Sequence, residues 1–465
     1  MRSLTVLLTL SASLTACEAL EGLFPGEETT TDTPTITTDT GAPVDEAILD
    51  AQAIGDDRIV AAVTAGQIVL DLGEGRDDPT VVDDAKSLLV GAIDGIALLD
   101  FDAGHSIELV YLGVGALGEI DPQDPEEAQI YGRTVEELSP ALGLVAFNAG
   151  NRNEFRLSFN DALLEAVHRY DSENRLELGT PGGYERDEIP PGAGAYAWSN
   201  GADDRFRWYG VNEEVTVAAH RRIVQMGGGC TGTLVGPRHV VTAGHCIYSR
   251  RNGTWADNFW VRAGANGTNE QAEVFVDADN IPGGQVLWYY TPSQFRATSG
   301  STWGYDYGIL TLPGRLGDVV GWMGRVTYTA DDLQDAYVYR RGYPLCNATL
   351  QDGTPRIDEP SPCNANHLYA NSNDCSVGEF QSQDANSWSR VVHHSCDASA
   401  ADSGSPLYVY HNGTPAVAAV HFASLCEVTA DDDDCTGSFE DRPLAALRLT
   451  PQYRDLIGTF RSIFP

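Results

Sequence analysis

Cys230-Thr231-Gly232-Thr233-Leu234-Val235-Gly236 leads into His239-Val240-Val241-Thr242-Ala243-Gly244-His245-Cys246. Two β-branched apolar runs with a glycine-proline break between them predict two short strands joined by a turn. The second run ends on a histidine directly beside a cysteine, and a disulfide from Cys230 to Cys246 would fix that strand end. Further along, Tyr305-Asp306-Tyr307-Gly308-Ile309-Leu310 sets a carboxylate at the mouth of another apolar run. Ala401-Asp402-Ser403-Gly404-Ser405-Pro406 then flanks a serine with residues suited to a tight turn. Around these pieces, from Ala202 to Pro465, short β-branched and aromatic runs alternate with Gly, Asn and Pro turns. The exception is the very end, where Tyr453, Leu456, Ile457, Phe460 and Ile463 recur at spacings of three or four, the apolar stripe of a packed helix. The expectation for 202–465 is an all-β domain with one terminal helix.

TAGHC at 242–246, the carboxylate of Asp306 and DSGSP at 402–406, in that order, resemble the chymotrypsin-fold serine peptidases, in detail the V8-like branch of glutamyl endopeptidases. The resemblance covers the last 260 or so residues, beginning near Asp203-Asp204-Arg205, and leaves the first 200 unexplained. It implies two six-stranded β-barrels with the site between them, a membrane-tethered serine endopeptidase and hydrolysis of protein or peptide substrates through an acyl-enzyme. His245 is then the general base, Asp306 the group that fixes its tautomer, Ser403 the nucleophile, and the N–H groups of Ala401 and Ser403 the oxyanion hole. A serine hydroxyl needs such a base because it is a weak nucleophile until its proton is taken as it attacks. Asp277 and Asp279 are other carboxylates in the same region, and His393 and His394 lie nearer the serine in sequence, but neither set has the flanking pattern. A binding lipoprotein that keeps this fold without turnover is the reading from a different class.

One residue departs from the family. Ala401 stands where glycine is usual, because that peptide must turn its N–H inward at positive φ; an alanine held there costs on the order of 1–2 kcal/mol. The specificity signals conflict. Asp397, six residues before Ser403, matches the position of the carboxylate that binds Arg or Lys in trypsin-like relatives. His421 matches the histidine that V8-like enzymes turn toward a substrate glutamate, and Asp397 and His421 could also pair with each other. Ala398 belongs to the same pocket, while Phe422, Ala423 and Ser424 are expected to bind substrate backbone as an added strand. The closer resemblance favours acidic residues before the scissile bond. Asp402 matches the aspartate that a newly released α-amino group pairs with in the trypsin branch, which suggests a zymogen activated by a cut between Gly179 and Arg205.

Composition sets the outer limits. The chain has 465 residues, 42% of them apolar, enough for real cores. Its 67 acidic residues against 29 Lys plus Arg give a formal charge of −38, which argues against nucleic acid as a partner. MRSLTVLLTLSASLTAC reads as a secretory signal. Leu14-Thr15-Ala16-Cys17 resembles a bacterial lipobox, implying a lipidated Cys17, membrane tethering and, with Glu18 next, an outer-membrane lipoprotein; ordinary cleavage at an A-x-A-like site is the other reading. Without Cys17 the nine cysteines leave an even eight, all between Cys230 and Cys435, as an oxidised exported domain requires. Residues 18–44, rich in Thr, Pro and acid, read as a disordered tether, and 179–201 as a Gly/Pro linker. Between them, 45–178 alternates β-like runs (Arg58 to Val63, Gln67 to Leu72, Ile107 to Leu112) with helix-like stretches at Val82 to Ile93 and Asp161 to Tyr170. It is expected to be a small, separate α/β domain, with a propeptide as one reading of its role. No cofactor or metal is expected: no HExxH pair occurs, and Asp431 to Asp434 read as an exposed acidic loop rather than a calcium site. A monomer is expected.

Overall fold

The strands expected around His245 and Asp306 form as neighbours: His239–Thr242 pairs antiparallel with Cys230–Leu234 on one side and with Gly308–Thr311 on the other. The computed structural model describes residues 42–97, 102–120, 143–174, 206–207, 209, 212–277, 281, 287–296, 303–328, 333, 338–346, 363–364, 366–370, 377–378, 390–394, 396–398, 401–411, 413–424 and 444–463. Cys17, residues 18–41 of the expected tether, the linker at 179–201, Asp279 and the acidic run at 431–434 lie outside the described residues, whereas 42–44, expected to be disordered, open the helix Ala42–Ile54.

An 11-stranded sheet carries the first half of the site. Its order is Ile68–Asp71, Ile107–Val114, Asn153–Phe159, Gly143–Asn148, Trp288–Pro292, Gly308–Thr311, His239–Thr242, Cys230–Leu234, Ile223–Met226, Asn258–Ala263 and Ala272–Asp277. Only the first pair is parallel; every later neighbour is antiparallel. A second sheet, of nine strands, is built from residue 206 onward and includes Val391–His394, Leu444–Arg448, Thr414–Ser424, Pro406–His411 and Tyr339–Gly342. A three-stranded sheet joins Tyr248–Ser249, Thr254–Ala256 and Ala116–Gly118. The architecture is β-rich and chymotrypsin-like with a small helical content.

Four points differ from the sequence reading. Arg58–Val63 is helical, within Asp57–Thr64: Asp56 caps it by accepting from the Arg58 N–H at 2.9 Å, and Ile59 and Val63, one turn apart, are its buried residues. The β-branched residues suggested a strand, but their spacing of four and the cap decide for a helix. Residues 42–174 are mixed α/β as expected, yet they are not a separate body. Ala42–Pro465 forms one compact unit, because Gly143–Asn148 pairs in register with Trp288–Pro292, from Leu144 opposite Pro292 to Asn148 opposite Trp288. That same Trp288–Pro292 strand occupies the outer edge of Gly308–Thr311, so among the described residues the first sheet extends instead of closing into a barrel. Finally, among the described residues after 202, three single turns, Ala218–Arg221, Ser293–Arg296 and Leu316–Val320, occur besides the terminal helix Pro451–Ile463.

The terminal helix shows why the chain folds as one. Its Tyr453, Leu456, Ile457 and Phe460 are fully buried, worth about 1.5–3 kcal/mol each in removed apolar surface. They contribute to a hydrophobic core that also holds Leu88 and Leu89 of helix Pro79–Ala97 and Leu163 of helix Asp161–Asn174. One continuous core therefore runs from the N-terminal helices to the strand bearing His245.

Candidate active site

The site begins at a strand end. His239–Thr242 gives way to a single 3-10 turn, Gly244–Cys246, which lifts His245 out of the sheet, while Asp306 precedes the neighbouring strand Gly308–Thr311, with Gly308 opposite Thr242. Two adjacent strand ends thus deliver an imidazole and a carboxylate to one place. Asp306 Oδ2 lies 2.7 Å from His245 Nδ1, and its Oδ1 accepts from the His245 backbone N–H at 2.9 Å. Asp306 is fully buried and His245 nearly so. A carboxylate at Nδ1 keeps the proton on that nitrogen and leaves the lone pair on Nε2, the state a general base requires. Gly244 is needed at this turn, since a Cβ there would stand 3.0 Å from Asp306 Oδ1, Phe295 and the Tyr307 nitrogen. The expected Cys230–Cys246 disulfide is present and closes the turn onto the Cys230 strand.

Ser403 is brought to the same strand end. Its carbonyl accepts from the Thr231 N–H at 2.8 Å and stands 3.8 Å from Sγ of Cys246, the neighbour of His245. On the far side, the Gly404 N–H donates to the His421 carbonyl at 2.7 Å, and the His421 N–H donates to the Ser405 carbonyl at 2.9 Å. The nucleophile turn is therefore clamped between the two large sheets. Gly404 sits at φ 86°, where a Cβ would overlap the Thr231 carbonyl oxygen and the Thr242 hydroxyl. Ala401 adopts φ 71°, the strained conformation anticipated for it, with its carbonyl accepting from Thr231 Oγ1 at 3.2 Å. Ala401→Gly removes that strain but loosens the unfolded chain, so the net gain expected is about 0–1 kcal/mol. A fall in melting temperature on this substitution would contradict the account.

Asp402 did not need to wait for a new N-terminus. Its carboxylate forms an ion pair with Arg340 of strand Tyr339–Gly342, and both side chains are fully buried. The same guanidinium donates from Nε to Ser405 Oγ at 3.0 Å and from Nη1 to the Asp397 carbonyl at 2.6 Å. One planar cation thereby holds three points of the stretch from 397 to 405, as a five-donor fork can. The zymogen expectation placed an α-amino group against Asp402; the structure places an internal arginine there. Gly342 permits the approach, because a Cβ at that position would collide with Asp402 Oδ1.

The specificity residues line up around the second sheet. His421 is buried, and its Nδ1 lies 3.0 Å from Nε2 of His394, which is fully buried. Burial, reinforced by the neighbouring His421 and Arg340, holds His394 well below the usual imidazole range, so it is neutral. Phe422 is buried, and a bulge between His421 and Ala423 re-aims the strand that continues through Ser424. Asp397 and Ala398 are half-buried. His394 and Arg340 were not found by sequence reasoning. His394 lies two strands away from His421, with Leu444–Arg448 between them, and Arg340 belongs to a strand with no motif of its own. Two further disulfide facts extend the single pairing expected: Cys346 pairs with Cys363, and Cys396 is also disulfide-bonded.

Among the described residues, the His/Cys/Asp/Glu cluster close enough to share an ion is Cys230, His245 and Cys246, and its two sulfurs are joined to each other.

A strand-end imidazole held by a buried carboxylate, with an SGSP turn clamped at the same strand end, is the arrangement expected of a serine peptidase of the chymotrypsin fold. Residues 212–432 match the trypsin family. The chain is 38% identical over 149 residues to a glutamyl endopeptidase of Bacillus licheniformis, an alignment covering 31% of this chain and 41% of that protein. It is 35% identical over 126 residues to an extracellular metalloprotease of Bacillus subtilis, covering 26% of this chain and 35% of that one. The chain thus spans well under half the length of either relative. Among solved structures, a Glu endopeptidase in complex with MPD is similar over 56% of this chain and 98% of its own, at 19% identity and a TM-score of 0.39. Protease Anisep from Arthrobacter nicotinovorans covers 50% of this chain and 92% of its own, at 18% identity and a TM-score of 0.34. No helix among the described residues is long and apolar enough to cross a membrane.

Proposed function

We propose that the protein is a serine endopeptidase that cleaves peptide bonds after acidic residues, with His245, Asp306 and Ser403 as its triad. The observation that carries this reading is the His245–Asp306 pair, with Nδ1 at 2.7 Å from Oδ2, at the strand end against which the Ser403 turn is clamped. Ser403 Oγ attacks the scissile carbonyl as His245 Nε2 takes its proton. The carbonyl π electrons move to oxygen, where the N–H groups of Ala401 and Ser403 receive the developing charge. Collapse expels the amine, protonated by His245, and leaves an acyl-enzyme that water hydrolyses by the same steps in reverse order of partners.

An acidic preference is favoured by the histidine pair. Because His394 is neutral, its Nε2 lone pair can accept from His421 Nδ1–H, which fixes the ring of the residue that matches the glutamate-binding histidine of V8-like enzymes. The glutamyl endopeptidase relative supports the same choice. The signal and Cys17 are read as the export and lipid anchor of a cell-envelope enzyme acting on protein or peptide substrates as a monomer. A fluorophosphonate probe on the full chain should label Ser403, and a mixed peptide library should be cut after Glu. An unlabelled protein would favour the non-catalytic binding lipoprotein, and cuts after Arg or Lys would make Asp397 the pocket's determinant instead of His421.

A further inference from the structure

The described residues between 42 and 174 meet the C-terminal part of the chain through its interior. Three separate contacts converge on the segment around His245. Ala116–Gly118 pairs parallel with Thr254–Ala256, with Leu117 opposite Trp255, and Thr254–Ala256 in turn pairs with Tyr248–Ser249 just after the Gly244–Cys246 turn. Phe147 stacks face to face on Trp255, centroids 5.1 Å apart and planes 3° from parallel. Glu154, nearly buried, accepts from the Trp255 indole N–H with Oε1 and pairs with Arg296 Nη1 at 3.0 Å through Oε2.

From Glu154 the contacts run on to the triad. The Arg296 guanidinium lies over the rings of Tyr248 and Trp255, at 4.7 and 5.3 Å from their centroids. Its neighbour Phe295 packs edge-on to Tyr248 and stands against Gly244, beside Asp306. A side chain from residue 154 therefore sets the residues that wall in the His245 turn. Meanwhile Gly143–Asn148 covers the edge of Trp288–Pro292, and the helices Pro79–Ala97 and Asp161–Asn174 cover the terminal helix. Taking residues 42–174 away would bare a strand edge, the Arg296 guanidinium that Glu154 pairs with, and the side of the terminal helix that the two helices cover.

We propose that residues 42–174 are a permanent part of the catalytic unit and that Glu154 is a positioning residue for His245, acting through Trp255, Arg296 and Phe295. A cut in the linker then yields a two-chain enzyme, and the N-terminal chain is not a propeptide that leaves. This rests on the peptidase reading for its catalytic half, and on packing alone for its structural half.

The test is a full-length chain carrying the recognition sequence of a site-specific viral protease between Gly182 and Gly183. After cutting, the two chains should co-elute under native conditions at the volume of the intact protein, with fluorophosphonate labelling at the uncut rate. Separation of the chains overturns the proposal, whichever of them labels. If neither cut nor uncut protein labels, the peptidase reading fails, but co-elution still decides the permanence of the assembly. In the intact chain, Glu154→Gln keeps an acceptor for Trp255 and removes the charge facing Arg296. Misplacing a base by a fraction of an ångström predicts a fall in kcat on the order of tenfold with KM unchanged. A lower melting temperature with kcat intact would reduce Glu154 to a structural role and overturn the positioning claim.

Discussion

Ser403→Ala is expected to lower kcat about a millionfold, and Asp306→Asn roughly 10⁴-fold, while both proteins keep the fold and bind substrate. The unequal sizes follow from what each atom does. Removing the Ser403 hydroxyl removes the attacking oxygen, and what remains is water attacking a carbonyl polarised by the Ala401 and Ser403 N–H groups. Asp306 never touches substrate. It accepts two hydrogen bonds from one residue, from the His245 amide at 2.9 Å and from Nδ1 at 2.7 Å. An asparagine can keep its oxygen on the amide, but its NH2 then faces Nδ1 and donates to it, which moves the ring proton to Nε2, where it cannot act as base. The reverse rotamer saves the tautomer and leaves the buried amide N–H of His245 without its acceptor. Steady-state kinetics on a peptide substrate measures both. An Asp306→Asn enzyme within tenfold of the parent would mean that the pair at Nδ1 is only a buried structural contact and that another carboxylate orients His245.

The parts of this site readable in the sequence were those in which chemistry is local. A histidine beside a cysteine after Val240-Val241-Thr242 announces a strand end with a staple, and SGSP announces a turn that lifts a hydroxyl, because strand and turn propensities act over a few residues. Ala401 could be flagged from one missing glycine, and it indeed sits at φ 71°. His394 and Arg340 could not, since each earns its role from a partner on another strand, 27 residues from His421 in one case and 62 from Asp402 in the other by their numbering. Register across non-adjacent strands is set by the packing of the whole sheet, which no short window contains.

The N-terminal third illustrates a different failure. Its helices and strands at Pro79–Ala97, Ile107–Val114 and Asp161–Asn174 lie where the periodicity put them, but its relation to the rest was misjudged. A Gly/Pro-rich linker suggests a boundary in space as well as in sequence. Here the linker joins two portions of one sheet, because the buried run Gly143–Asn148, apolar on both faces, finds its partner in Trp288–Pro292. A strand buried on both faces and flanked by an absent neighbour is a sign that the segment is incomplete alone, though the identity of that neighbour is a tertiary fact.

Arg340→Met is the second large effect, and it acts on stability as well as rate. Arg340 and Asp402 are each fully buried, so the methionine leaves a carboxylate in the interior without its cation, a change that costs about 3–5 kcal/mol in comparable buried pairs. The loss also frees the Ser405 hydroxyl and the Asp397 carbonyl, held now at 3.0 and 2.6 Å, so the turn bearing Ala401 and Ser403 loses its anchor from below. Because the oxyanion N–H groups belong to that turn, kcat falls with stability, whereas a core substitution elsewhere lowers stability alone. Arg340→Lys restores the charge without the fork and is expected to recover part of the stability and less of the rate. Adding Asp402→Asn to Arg340→Met removes the stranded charge, so the double variant should be more stable than Arg340→Met by itself, a non-additivity that only a direct pair produces. Urea unfolding of the parent, Arg340→Met, Asp402→Asn and the double variant gives the cycle, and strict additivity would dissolve the pair as the anchor of the turn bearing Ser403. The same cycle bears on activation: with Arg340 in place the anchor is present before any cut, and only a rise in activity of the Arg340→Met enzyme upon linker cleavage would return Asp402 to an α-amino partner.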